Sequence, residues 1–185
     1  THLRTIRNMA VLSEDPFDDG SMGRSTAFAP SIPHSQPAID QDIRAVILDG
    51  GFTAGLLPWV KAVDAQGVPS NASSLPHGVA VTSAFLFGSI KDGQKSLEPP
   101  FCNVEHVRVL PSTATDPRRV GDVIDRIIST LQSARDEGRP YSLANLSLGP
   151  RLPVLDDDPH EWTVRLDDFL SFGDLFMTVA VGNDG

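Results

Sequence analysis

Ala45-Val46-Ile47-Leu48-Asp49-Gly50-Gly51 is the stretch that decides the fold. An unbroken apolar run suits a strand buried on both faces of a parallel sheet. The run stops at an acid followed by two glycines, so a carboxylate stands at the carboxyl end of that strand. Ligands and reacting groups of open α/β sheets collect at such ends. Two further strings complete the pattern. His77-Gly78-Val79-Ala80-Val81-Thr82-Ser83 opens a stretch of small apolar residues that reads as a buried helix through Phe87. Val179-Ala180-Val181-Gly182-Asn183-Asp184-Gly185 is a second apolar run, ending in a side-chain amide between glycines.

Between these landmarks the pattern alternates strand and helix. Asn103 to Leu110 sets Val104, Val107 and Val109 among polar residues and predicts a strand. Arg118 to Asp136 is the clearest helix. Val120, Ile124, Ile127, Ile128 and Leu131 form one apolar stripe, with Asp116 as the predicted cap, Pro117 at the first position and Gly138 as the stop. Ser142 to Leu148 predicts a strand, Glu161 to Phe172 a helix, and Phe176 to Val181 a last strand. Phe52 to Val60, broken by Pro58, reads as loop or short helix, and Gln66 to Pro76 as loop. The expected architecture is α/β, a mostly parallel sheet flanked by helices and wound with right-handed crossovers. Residues 1–41 read as an irregular arm, interrupted by Pro16, Pro30, Pro33 and Pro37, and residues 42–185 as the domain.

Composition narrows the function classes. The 185 residues are 40% hydrophobic and 21% charged, as in an ordinary globular protein with one core. A net charge of −9 argues against a nucleic-acid partner, which needs a basic face. No apolar run approaches the ~20 residues of a membrane span. Cys102 is the one cysteine, so no internal disulfide supports the fold. Cytoplasmic and secreted locations both suit this composition.

Three residue types point to acid–base chemistry. A carboxylate at Asp49 can hold a histidine ring in one tautomer and stabilise its charged form. His77, at a helix start beside a glycine, can turn its ring into a cleft. Asn183 can donate to a developing oxyanion. Taken singly, each has a plainer reading: an ordinary acid after a strand, a polar helix start, and a Gly-Asn-Asp-Gly turn. The other histidines have no such setting. His2 and His34 sit in the arm, His106 lies mid-strand and reads as structural, and His160 lacks a zinc motif. No Gly-rich phosphate loop follows the first strand, which removes a nucleotide-binding reading.

Taken together, the order Asp49, His77, Asn183 and the gaps between them resemble the subtilisin-like serine proteases (subtilases, peptidase family S8). Asn145-Leu146-Ser147-Leu148-Gly149 is similar to that family's Ser-Leu-Gly segment. The resemblance spans residues 42–185. It implies a subtilisin-like three-layer fold, incomplete at the C-terminal end, and a serine endopeptidase acting on protein or peptide substrates. It makes Asp49 the residue that orients the base, His77 the general base and acid, and Asn183 the oxyanion donor. Ser147, Leu148 and Gly149 become substrate-binding, and Ser112 to Thr115 an opposite wall of the cleft. Gly50, Val79 and Ala80 depart from the residues usual in the family. The larger departure is that no Gly-Thr-Ser nucleophile segment occurs in the chain. The expectation is that the serine lies beyond Gly185, that these residues alone are inactive, and that they tend to self-associate. A non-catalytic, protease-like peptide-binding module is the alternative. No cofactor is expected. Asp156-Asp157-Asp158 offers oxygen ligands for a structural calcium, but reads more simply as a solvated acidic loop, so no metal is assigned.

Overall fold

A computed structural model of the chain describes residues 31–68, 75–89, 94–110, 120–149 and 159–180. Among the described residues five strands and three helices follow one another as β1 (Arg44–Asp49), β2 (Val60–Asp64), α1 (Leu75–Phe87), β3 (Asn103–Arg108), α2 (Val120–Asp136), β4 (Leu143–Leu146), α3 (Glu161–Leu170) and β5 (Phe176–Val179). All five strands lie in one parallel sheet of order β2-β3-β1-β4-β5. The α/β class expected from the sequence is the class observed.

Strand β1 is central because its side chains suit both faces. Val46 and Leu48 join Val107, Val109, Ile124, Ile127, Leu131, Leu146, Trp162 and Phe169 in one core. Ala45 and Ile47 join Trp59, Leu86, Cys102 and Val104 in the other. Each fully buried aliphatic side chain contributes roughly 1.5–3 kcal/mol, so the strand that buries three in succession anchors the sheet. Helices α2 and α3 cover the first face and α1 the second, giving three layers.

Of the stripe predicted for α2, Ile124, Ile127, Ile128 and Leu131 pack into the core against the sheet. The helix ends as expected at Gly138, where the Gly138 and Arg139 amides donate to the Arg135 and Ala134 carbonyls. His160 caps α3, its Nδ1 accepting from the Trp162 amide at 3.1 Å. Asp116 and Pro117 lie outside the described residues.

Two expectations need correction. The sequence assigns Phe52–Val60 to loop or short helix and gives residues 61–65 no element, yet among the described residues Val60–Asp64 is an edge strand pairing with β3. The second concerns handedness. The steps β2 to β3, β3 to β4 and β4 to β5 all move the same way across a parallel sheet. Their connecting helices do not share a face, because α1 lies opposite α2 and α3. The β2–α1–β3 crossover therefore has the opposite hand to the other two. Right-handed units dominate so heavily that β2–α1–β3 is the left-handed one. Residues 31–41, the described part of the arm, are tied down. Ser31 bridges Ser96, the Ile39 and Asp40 amides donate to Pro100 and Phe101, and Ala38 is buried.

Candidate active site

Asp49 is the last residue of β1 and has no exposed surface. Its backbone carbonyl accepts from the Val109 amide at 2.9 Å, which continues the ladder and fixes the strand end. Its Oδ1 accepts from the Gly50 amide at 2.5 Å and from His77 Nδ1 at 2.9 Å. A carboxylate only accepts, so the ring donates from Nδ1 and presents Nε2 as its free basic nitrogen. The His77 side chain remains 56% exposed, so that nitrogen is open to a proton donor.

Two glycines make the contact sterically feasible. Gly51 has φ 122°, a conformation that residues with a Cβ rarely adopt, and it turns the chain away from β1. Gly78 places the start of α1 hard against that turn. A Cβ on Gly78 would lie 1.9 Å from the Gly51 carbonyl oxygen and 2.9 Å from His106 Cε1. Because α1 follows β2 in a parallel sheet, its N-terminal turn starts at the carboxyl end of the strands, beside the end of β1, and these glycines close the distance from helix to strand.

The electrostatics favour a base. Donating a hydrogen bond to Asp49 raises the His77 pKa, burial opposes this, and the Asp49 charge adds to the rise. A histidine held this way takes up a proton more readily than a free one, and the carboxylate steadies the resulting cation.

Ser147, Leu148 and Gly149 follow directly on β4, one residue past the Leu48–Leu146 pairing, and so lie beside Asp49 at the same sheet end. Ser147 Oγ donates to Asn145 Oδ1 at 2.9 Å, and Asn145 Nδ2 donates to Thr178 Oγ1 of β5 at 2.9 Å. The Ala180 amide donates to the Leu146 carbonyl, which holds the end of β5 to the end of β4. Asn183, Ser112 to Thr115 and Asp156 to Asp158 lie outside the described residues. The structure thus brings Asp49 and His77 into contact and sets Ser147 to Gly149 beside them.

Sequence reasoning misses the role of two buried residues near the pair. Thr82 and His106 are both fully buried and hydrogen-bonded, Oγ1 to Nδ1, at 2.8 Å. His106 reads as structural in the sequence, but its place behind Asp49 and His77 depends on strand register, which no local pattern reveals. His34, in the arm, stacks on Trp59 with ring centroids 6.3 Å apart.

A cavity of about 350 Å³ lies at the opposite, amino-terminal end of the sheet. Glu105 is its focus, accepting from Arg44 Nη2 at 3.1 Å, Lys61 Nζ at 2.5 Å and the Tyr141 hydroxyl. Among the described residues no group of three His, Cys, Asp or Glu side chains is placed to hold a metal ion. Nor is any described helix long and apolar enough to cross a membrane. No protein-family model, curated protein or solved structure matches this chain.

Proposed function

We propose that the chain carries the acid–base part of a serine-type endopeptidase of the subtilisin-like class. The observation that carries this reading is the contact of the fully buried Asp49 carboxylate with Nδ1 of a half-exposed His77. That geometry leaves Nε2 as the proton acceptor, which is what an acyl-transfer base requires.

In this reading His77 Nε2 takes the proton of a serine hydroxyl as its oxygen attacks the scissile carbonyl. Asp49 stabilises the imidazolium, and His77 then returns the proton to the leaving amine. Asn183 donates its side-chain amide to the oxyanion. Ser147 to Gly149 align the substrate backbone at the sheet end. The nucleophile is a serine supplied from outside these 185 residues, and the chain by itself turns over no ester or peptide. Its substrates are proteins or peptides, and no cofactor takes part.

The test is covalent labelling of the natural gene product with a fluorophosphonate. A serine adduct that disappears in His77→Ala supports the reading. A folded product that binds peptides at micromolar concentration but takes no adduct supports the binding-module alternative.

A further inference from the structure

Among the described residues, His106 is a buried titratable group close to the pair that the proposed reaction leaves unused. It lies on β3 opposite Ile47, on the sheet face that also carries Asp49 and receives α1. Its ring is wedged between Phe52, with centroids 5.7 Å apart, and Gly78, and is held by Thr82.

Two polar atoms here are buried and lack a partner among the described residues: His106 Nε2 and Asp49 Oδ2. They are chemically complementary. The Thr82 hydroxyl has Nδ1 of His106 as its partner, and a hydroxyl donating there leaves the ring proton on Nε2. His106 Nε2 is then a donor without an acceptor, and Asp49 Oδ2 an acceptor without a donor. Leaving either bare inside a core costs about 1–3 kcal/mol. The charged groups facing His106 are Asp49 from β1 and His77 from α1. Burial dominates over both and pushes its pKa down to about 4, so the ring stays neutral and keeps one donor.

We propose that His106 is a positioning residue for the Asp49–His77 pair, its Nε2–H serving Asp49 Oδ2 through one bridging water. Thr82 sets the tautomer, His106 holds the far oxygen of the carboxylate, and Oδ1 is left aimed at His77. The bridge also draws on the carboxylate's charge and so moderates the basicity of His77. The role rests on the protease reading for its purpose, but not for its test.

The test is histidine NMR on the 185-residue chain. In the unmutated chain, His106 is expected as the neutral Nε2–H tautomer, with a slowly exchanging Nε2 proton. An Nδ1–H tautomer overturns the proposal. In His106→Leu the His77 titration midpoint is expected to rise by about half a pH unit, because the carboxylate then serves His77 alone. In His106→Gln, which keeps an amide donor near the Nε2 position, it stays near the unmutated value. An unchanged or lowered midpoint in a folded His106→Leu chain overturns the proposal. If that variant does not fold, the tautomer decides. A missing fluorophosphonate adduct would remove the protease reading and leave both NMR results standing.

Discussion

The Asp49 carboxylate, wholly buried at the end of β1, accepts from His77 Nδ1 at 2.9 Å across the junction of strand and helix. The acid is fixed on three sides, by the ladder, by the Gly50 amide and by the ring, while the base keeps an open face.

Removing the acid therefore tests the pair. Asp49→Asn takes away both effects that raise the His77 pKa, the hydrogen bond and the charge, and leaves burial to lower it. The His77 midpoint should fall, read by NMR titration of the ring. In the serine-containing gene product the same change should slow fluorophosphonate labelling by roughly 10³–10⁴-fold, because the ring loses its tautomer.

The glycines should be intolerant of a side chain where the contact is made and tolerant elsewhere. Gly78→Ala forces a Cβ into the Gly51 carbonyl and should cost about 3 kcal/mol or more. Gly51→Ala should cost about 1–3 kcal/mol from its backbone alone. Gly149→Ala meets nothing within 4 Å and should be close to neutral. Urea midpoints of the three variants check the order.

The two histidines pull the pH dependence of stability in opposite directions. The His77 pKa is raised on folding, so its contribution is full below the unfolded value of 6.5 and is lost as pH rises through the folded value. The His106 pKa falls from 6.5 to about 4, so the unfolded chain binds a proton that the folded chain refuses. Stability linked to His106 is full above 6.5 and is lost as pH falls toward 4, by about 3 kcal/mol in all. Denaturant unfolding through this range should show a shallower acid loss in His106→Leu than in the unmutated chain.

Among the described residues β5 is an edge strand that pairs with β4 on one side, and Phe176 and Val179 remain 59% and 44% exposed. Its other edge offers backbone groups to a second strand. The 185-residue chain should self-associate at micromolar concentration, and Phe176→Lys should shift it toward monomer in sedimentation velocity.

Much of this architecture is legible in the sequence because it is local. The apolar run of β1, the stripe of α2 and its stop at Gly138 each carry their own period or cap. Asp49 and His77 are legible as a motif, and the fold brings them together. What escapes the sequence depends on tertiary placement. Lys61 interrupts the apolar pattern of β2, which is a strand because β3 offers an edge. The hand of β2–α1–β3 is set by which face α1 covers. His106 looks like any mid-strand histidine until register sets it behind Asp49. Asn183, the proposed oxyanion donor, lies outside the described residues, so its part in the site rests on the motif alone.

The most direct measurement is the intact mass of the natural gene product before and after fluorophosphonate treatment, repeated with His77→Ala. The account predicts a single adduct on a serine and its loss in the variant. A folded gene product that takes no adduct, or one labelled equally well without His77, would contradict the claim that Asp49 and His77 activate a serine.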